Sequence, residues 1–363
     1  MIRQNFNADW TVEKGDGNSR MNSFLGNTQT KTVHLPYDAM IHEARTPDTK
    51  NGAQTGFYPG GEYIFQKHFT APQAWQGKPV SLVFEGVYQT ALVYLNGWLL
   101  TRNVNGYAEF TVEAGPYLKY GADNLLKVIA DNSLEPNSRW YTGSGIYRPV
   151  RLLVGNKVYL PQDTVRITTR EADEGFALLD VTAQVQSAST ITERVTLQQT
   201  ICREGTAVLT DRQNLLLQPG ESRIVSFRYC VDSPALWSPE NPNLYASIMQ
   251  VLEGEEELDR EETSFGIRTL SIDAAHGVRI NGQTVKLRGA CIHHDNGILG
   301  AATLPDAEER RIRQLKEAGF NAIRSSHHPA GRALLDACDR YGVLVMDELS
   351  DVWNVRKSPY DYA

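Results

Sequence analysis

The chain has 363 residues, of which 41% are hydrophobic and 22% are charged, and its formal net charge is −7 at pH 7. This length and composition predict a globular protein of two or three domains. The excess of acidic residues argues against nucleic acid as a partner. The sequence contains no run of about 18 apolar residues, the length that a membrane-spanning helix needs, so no membrane partner is expected.

The cysteines and the N-terminus bear on the cellular compartment. Cys202, Cys230, Cys291 and Cys338 are scattered and show no CxxC spacing. Reduced thiols in a cytoplasmic protein are the simplest interpretation, with a Cys202–Cys230 disulfide as the alternative. The first ten residues contain no apolar core that could serve as a signal peptide. We therefore expect a cytoplasmic location.

Residues 1 to about 160 have the pattern of an all-β domain. Apolar residues alternate with less apolar neighbours from Val80 to Phe84, and Asn96-Gly97 separates two apolar runs. An Asn-Gly pair in this setting is the strongest short signal for a β-hairpin. Many short strands with turn signals between them predict a sandwich or jelly roll.

Residues 161 to about 272 are also predicted to be all-β. The segment from Leu178 to Val185 alternates strictly between apolar and polar residues, as in a strand with one buried face. Similar runs follow at roughly regular intervals. The two prolines between Trp237 and Asn243 predict an irregular segment, because proline cannot donate to a strand ladder. About 110 residues of this pattern correspond in size to one immunoglobulin-like sandwich.

From residue 273 onward, short apolar segments alternate with two helical patterns, Asp306 to Ala318 and Arg332 to Tyr341. A capping box formed by Asp306 and Glu309 is expected to start the first helix. The order β-α-β-α-β predicts parallel strands with helices outside, as in the first part of a (β/α)8 barrel. Since a whole barrel needs roughly 250 residues, we interpret the chain as the front part of a longer protein.

Polar residues concentrate where the three barrel strands end, which is where (β/α)8 barrels hold their chemistry. Adjacent strand residues point to opposite faces, so only one of two neighbouring carboxylates or histidines can face the site. A metal site remains an alternative to hydrogen bonding with a ligand, but the adjacent histidine pairs suit it poorly. The residues at these ends are His293, His294, Asp295, Arg324, His327, His328, Asp347 and Glu348.

Several ordered segments extend over nearly the whole chain. They include Gly145 to Arg148, Leu236 to Tyr245, Leu287 to Asp295, Asn321 to Pro329 and Leu335 to Glu348. On these segments the chain resembles glycoside hydrolase family 2, the family of β-galactosidases and β-glucuronidases. The resemblance implies a jelly-roll sugar-binding domain over 1–160, an immunoglobulin-like β-sandwich over 161–272 and the N-terminal part of a TIM barrel over 273–363.

The resemblance also implies substrate-binding residues. His293 and His327 match histidines that line the subsite for the sugar being cleaved, and Arg324 matches an arginine beside the catalytic nucleophile. Asp163 falls near a first-domain aspartate that reaches into the site. Trp353 lies in a loop that could offer a sugar platform.

Other family features are expected to differ or to lie elsewhere. The two catalytic glutamates are expected beyond Ala363. Some relatives bind magnesium just after the third strand, where this chain has Val352 and Asn354, so no such metal and no cofactor is expected. One of Asp347 and Glu348 is expected to support the site as a hydrogen-bond acceptor, while the other contacts a helix or strand.

These implications predict a retaining exo-β-glycosidase that hydrolyses terminal β-linked sugars, and specifically a β-galactosidase. β-Glucuronidase and β-mannosidase are the alternatives within the same class. An alternative of another class is a non-catalytic carbohydrate-binding or scaffold protein. The expected partner is a carbohydrate, and a homo-oligomer stays open because family members often form oligomers.

Overall fold

The structure is a computed structural model that describes residues 1–15, 30–352 and 354–361. Three parts follow one another along the chain: two antiparallel β-sandwiches and a small parallel β/α unit. No helix among these described residues is long and apolar enough to cross a bilayer.

The first domain is a sandwich of two sheets. One sheet has the order β1-β10-β5-β8 and the other β3-β2-β4-β9-β6-β7. The strands are β1 (Ile2–Asn5), β2 (Trp10–Gly15), β3 (Lys31–Val33), β4 (Gly61–Thr70), β5 (Val80–Phe84), β6 (Thr90–Leu95), β7 (Trp98–Asn103), β8 (Phe110–Glu113), β9 (Asp123–Asn132) and β10 (Val150–Val154).

Apolar side chains from both sheets fill the space between them, and Trp10, Phe65 and Leu82 are fully buried there. The predicted hairpin is confirmed between β6 and β7. Asn96 and Gly97 have φ of 53° and 90°, the left-handed conformation that a tight two-residue hairpin turn requires. The sequence thus determines this turn locally.

The second domain is a sandwich of longer strands, and it confirms the predicted immunoglobulin-like sandwich. In one sheet β13 pairs with β11, β12 and β16, and the other has the order β15-β14-β17-β18. The strands are β11 (Val158–Tyr159), β12 (Arg166–Ala172), β13 (Phe176–Ser187), β14 (Glu193–Arg203), β15 (Thr206–Leu217), β16 (Ser222–Asp232), β17 (Tyr245–Glu253) and β18 (Glu256–Phe265). Alternate residues of β13 are buried along its whole length, as the alternation predicted.

A small antiparallel sheet leads from the second domain into the barrel strands. It consists of β19 (Leu270–Asp273), β20 (Gly277–Ile280) and β21 (Gln283–Thr284). It therefore extends across the predicted domain boundary at residues 272 and 273.

The parallel unit confirms the predicted β-α-β-α-β order. Its strands β22 (Gly289–Ile292), β23 (Ala322–Ser325) and β24 (Leu344–Met346) pair in sequence order. Helices α1 (Pro305–Glu317) and α2 (Arg332–Tyr341) connect them and pack on the sheet through a small apolar core. This unit is the start of a TIM barrel.

The predicted capping box of α1 is wrong. Helix α1 begins at Pro305, and its N-cap residue, Leu304, makes no side-chain capping bond. Proline is favoured at this first helical position because its φ is already helical and its missing N–H is not needed there. Asp306 lies inside the first turn, and Glu309 instead accepts hydrogen bonds from Arg340 (2.9 Å) and the Tyr341 hydroxyl (3.0 Å).

The segment Trp237 to Asn243 of the second domain packs directly on the barrel helices. Trp237 Nε1 donates to the carbonyl of Asp339 at 2.9 Å, and Lys316 Nζ donates to that of Pro239 at 2.5 Å. Gly342, which ends α2 with φ +69°, lies so close to Pro239 that a Cβ would clash with its carbonyl oxygen. The second domain and the barrel unit therefore share a tight interface.

All four cysteines fall within the described residues, and all four are free thiols. The alternative of a Cys202–Cys230 disulfide is therefore wrong. Cys202 lies on β14 and Cys230 on β16, which belong to opposite sheets of the second sandwich.

Candidate functional site

The candidate site lies at the C-terminal edge of the parallel sheet. The register pairs Ile292 with Ser325 and Arg324 with Met346, so the three strands end at nearly the same level. His293, His327 and Glu348 follow these ends. Parallel pairing thus brings together residues that are distant in sequence, as predicted for a barrel.

Glu348 is the centre of this group. His327 donates to Glu348 Oε2 through Nδ1 at 2.9 Å, and Arg324 Nε donates to Oε1 of the same carboxylate. The hydrogen bond with Glu348 raises the pKa of Arg324. Arg324 also lies 3.8 Å from the sulfur of Cys291 on the neighbouring strand. The carboxylate therefore holds an arginine and a histidine in fixed positions.

His293 is oriented from two sides. Its Nδ1 donates to the carbonyl of Ser326 at 2.6 Å, and the indole of Trp140 stacks on its ring with centroids 5.3 Å apart and planes at 11°. The same indole is tilted at 58° to the ring of His327, 5.4 Å away. His293 and His327 both donate through Nδ1 to an acceptor, so in the neutral ring each keeps Nε2 as an acceptor for a ligand hydroxyl.

The adjacent histidines His294 and His328 form a buried pair. Because a carbonyl oxygen only accepts, His294 donates through Nε2 to the carbonyl of Thr142 (2.9 Å), and its Nδ1 accepts from His328 Nε2 (3.1 Å). The ring of His328 stacks on Tyr107 with centroids 4.1 Å apart. Burial lowers the pKa of His328 to about 3 and that of His294 well below its usual value. Both rings are neutral and join the first domain to the barrel.

Asp347 and Glu348, which follow the end of β24, have different partners. Glu348 faces the histidine and arginine, whereas Asp347 Oδ1 accepts from the backbone N–H of Ala330 at 2.9 Å, next to α2. Asp347 thereby holds the loop that carries His327 and His328. Of the two carboxylates, Glu348 belongs to the site.

Asp163 stays a predicted site residue, and its described partners lie at the junction of the domains. Its carboxylate accepts hydrogen bonds from Arg332 at the start of α2, one of them 3.0 Å long. Arg332 also donates to both oxygens of Glu109, at 2.8 and 2.9 Å. This ion pair engages Asp163 at the junction of the domains, and no described hydrogen bond joins it to His293, His327 or Glu348. Trp353, the expected sugar platform, lies outside the described residues.

The first domain contributes side chains that sequence reasoning did not assign. Besides Trp140, its neighbour Arg139 donates to Asp351 at 2.7 and 2.8 Å, on the segment that follows β24. Asp351 Oδ1 lies 3.9 Å from His327 Nδ1. The sequence signal was that Arg139 and Trp140 lie a few residues before the ordered segment from Gly145 to Arg148. A local pattern could not show which barrel residues they meet.

The donors after the third strand do not suit a metal ion. Val352 offers no side-chain ligand, and no group of three or more His, Cys, Asp or Glu side chains in the part of the chain that the structure describes is arranged to hold one.

The chain consists of two β-sandwiches followed by a parallel β/α unit, and polar side chains gather where the strands of this unit end. This combination defines a class of proteins in which β-sandwiches precede a (β/α)8 barrel and the ligand site lies at the C-terminal ends of the barrel strands. Comparisons with known proteins agree. The description "Glycosyl hydrolase 2 galactose-binding domain-like" matches residues 10–176, "Glycosyl hydrolases family 2" matches 158–268, and "Glycosyl hydrolases family 2, TIM barrel domain" matches 274–357. The chain belongs to glycoside hydrolase family 2.

Individual relatives are similar over nearly the whole chain. The β-galactosidase BoGH2A of Bacteroides ovatus is 37% identical over 99% of this chain and 42% of its own length. A β-glucuronidase of Formosa agariphila is 26% identical over 97% of this chain and 39% of its own length. A solved family 2 member from Bacteroides cellulosilyticus, 36% identical, superposes with a TM-score of 0.94 over 100% of this chain and 48% of that one. The chain thus spans less than half the length of these relatives.

Proposed function

We propose that the whole protein is a retaining exo-β-glycosidase, specifically a β-galactosidase, and that this chain supplies part of its sugar-binding site. The observation that supports this is the convergence of His293, His327, Arg324 and Glu348 at the C-terminal edge of the parallel sheet. Barrel enzymes hold their substrates at this edge. The 37% identity with a β-galactosidase supports the choice of sugar.

The proposed chemistry is a double displacement through a glycosyl-enzyme intermediate. It needs two carboxyl groups about 5–5.5 Å apart across the scissile bond, which later barrel strands would supply. Within this chain, His293 and His327 would hydrogen-bond sugar hydroxyls, and Arg324 would keep its position through Glu348. Contacts that strengthen as the ring distorts toward the transition state raise the rate as well as the affinity.

The ion pairs at the site support a neutral sugar over a glucuronate. Recognition of a C6 carboxylate calls for a cationic side chain that is free to bind it. Here Arg324 is bonded to Glu348, and Arg139 and Lys357 are both bonded to Asp351. β-Glucuronidase nevertheless remains the second candidate, because a relative that is similar over 97% of this chain has that name.

The test compares residues 1–363 with the polypeptide specified by the complete reading frame that contains them. The longer polypeptide should hydrolyse p-nitrophenyl β-galactoside faster than the corresponding glucuronide and mannoside, whereas residues 1–363 alone should show no turnover. Preference for the glucuronide would favour the second candidate. Absence of hydrolysis, combined with galactose binding by residues 1–272, would instead support a carbohydrate-binding module.

A further inference from the structure

Asp351 is a carboxylate at the rim of the site that the mechanism above does not use. Its side chain is 12% exposed. Arg139 Nη2 donates to both its oxygens, at 2.7 and 2.8 Å, and Lys357 Nζ donates to Oδ1 at 2.8 Å. Burial raises the pKa of Asp351, but the hydrogen bonds from Lys357 and Arg139 outweigh burial and lower it. The carboxylate is therefore ionised at neutral pH and acts only as an acceptor.

This carboxylate has capacity for a further donor. An ionised carboxylate has about four lone-pair sites, and the two cations use three of them. It also lies beside a histidine of the site, since His327 Nδ1 is 3.9 Å from Asp351 Oδ1. A sugar hydroxyl is a neutral donor that could use the remaining lone pair without displacing either cation.

The first domain determines where Asp351 stands. Beyond Asp351, the chain returns to that domain: Tyr360 N donates to the carbonyl of Pro136, and Gln89 Nε2 donates to that of Tyr360, both at 3.2 Å. Lys357 Nζ also donates to the backbone carbonyl of Asp351 at 2.5 Å, which closes the intervening turn. The segment is thus fixed at both ends, with Arg139 bonded to its carboxylate.

We propose that Asp351 binds the sugar by accepting a hydrogen bond from one of its hydroxyl groups, and that Arg139 is a positioning residue that holds Asp351 in place from the first domain. This inference rests on the proposed function, because it assumes that the barrel edge receives a β-galactoside. It makes sugar selectivity a property of the contact between two domains. A sugar that lacks the bonded hydroxyl loses the benefit of both residues.

The test is calorimetric titration of the complete polypeptide with methyl β-galactoside and with analogues that each lack one hydroxyl. Asp351→Asn should raise the Kd for the parent sugar about 10- to 100-fold, as expected for the loss of a hydrogen bond to a charged acceptor. For the one analogue that lacks the bonded hydroxyl, the variant and the parent protein should have the same Kd. An equal effect on every analogue, no effect, or no binding by the parent protein would overturn the proposal.

Arg139 is tested by its dependence on Asp351. Arg139→Met should weaken binding with the same analogue pattern, Arg139→Lys should restore part of the affinity, and Arg139→Met should add little to Asp351→Asn. A merely structural role would weaken binding of every analogue alike. The matched control is the Arg279–Asp273 ion pair (2.6 Å) on the β19–β20 hairpin, where Arg279→Met and Asp273→Asn should leave every Kd unchanged.

Hydrolysis separates this proposal from the proposed function. If the polypeptide hydrolyses β-galactosides but Asp351→Asn binds them normally, only the role of Asp351 fails. If it hydrolyses no glycoside yet Asp351→Asn loses affinity with the predicted analogue pattern, the role of Asp351 stands and the enzymatic function fails.

Discussion

At the scale of single residues, the paired histidines divide into two roles. His293 and His327 keep Nε2 as an acceptor at the barrel edge, whereas His294 and His328 are buried between the barrel and the first domain. A buried neutral imidazole is tolerated when its ring nitrogens have partners, as both nitrogens of His294 and Nε2 of His328 do here. The buried pair consequently makes the interface sensitive to acid.

We predict that stability falls as the pH drops below about 6.5, the ordinary pKa of histidine. The folded protein keeps His328 neutral to a pKa of about 3, while the unfolded chain takes up its proton below about 6.5. Between pH 7 and pH 4.5 this single group should lower the free energy of unfolding by about 2–3 kcal/mol. Urea unfolding at both pH values measures the difference.

The matched variants for this prediction are His328→Gln and His276→Gln. The first should unfold more easily at neutral pH and lose less stability on acidification, because the titrating group is gone. The second removes an exposed histidine and should preserve the pH dependence of the parent chain. An unchanged pH dependence in His328→Gln would contradict the assignment.

Some of this residue-scale picture was predictable. Adjacent residues of an extended segment face opposite sides, and on this basis the sequence predicts different surroundings for Asp347 and Glu348. The contribution of Trp140 was not predictable, because its partner His293 lies more than a hundred residues further along the chain and only the packed domains bring the two rings together. Local patterns show which face a side chain takes but not which distant residue it meets.

At the scale of elements, the start of helix α2, which follows the loop that carries His327 and His328, is held by the first domain. Its first residue, Arg332, binds Glu109 of the first domain and Asp163, and Arg148 Nη2 donates to the carbonyl of Pro329 at 2.9 Å. These bonds lie on both sides of the turn between His328 and α2. The start of the helix is therefore positioned by contacts outside the barrel.

Arg332→Met is expected to lower the free energy of unfolding by about 1–2 kcal/mol. A partly exposed network with a bidentate arginine contributes more than an isolated surface pair, which is worth roughly 0–1 kcal/mol. Arg340→Met is the control on the same helix, since Arg340 makes a single exposed pair with Glu309. If thermal unfolding shows the same loss of stability in both variants, the network around Arg332 stabilises the fold no more than a single exposed ion pair does.

The helices also show which boundaries a sequence determines. The end of α2 was predicted, because Gly342 readily adopts the left-handed conformation that terminates a helix. The start of α1 was assigned to a capping box, whereas Pro305 starts the helix without one. Two competing start signals occur side by side there, and the sequence alone does not rank them.

At the scale of the whole molecule, the buried carboxylate of Asp38 bonds to both the first domain and the barrel. Asp38 accepts hydrogen bonds from the N–H groups of Met40 (2.9 Å), Ser144 (3.0 Å) and Ala301 (2.8 Å), and from the Tyr141 hydroxyl (2.6 Å). Ala301 belongs to the barrel, while the other donors belong to the first sandwich. Four donors on two oxygens require an acceptor-only group at this position.

Asp38→Asn should therefore destabilise the protein by about 2–3 kcal/mol, because the new amide donor would face existing donors and leave a buried polar group unsatisfied. Asp48→Asn, on an exposed loop, should change the stability by less than about 0.5 kcal/mol. Thermal unfolding of both variants is the measurement. If Asp38→Asn unfolds like the parent chain, the carboxylate does not stabilise the contact between the first domain and the barrel.

The division into two sandwiches and a barrel segment was predictable, since strand alternation recurs along both sandwiches and strands alternate with helices in the barrel segment. The way in which the domains are held together was not. Asp38 lies in a loop without regular pattern, and three of its four partners, Tyr141, Ser144 and Ala301, are more than a hundred residues away.

The interface formed by Trp237, Pro239 and Gly342 bears on how members of this family can exchange parts. A chimera joined between the second domain and the barrel would place a foreign loop against the end of α2, where there is no room even for one extra Cβ atom. The indole bond to Asp339 and the Lys316 bond to Pro239 would be broken by the same junction. Recombination that preserves folding must therefore transfer the segment from Trp237 to Asn243 together with both helices. The segment that can be exchanged is thus set by this interface and not by the domain boundary.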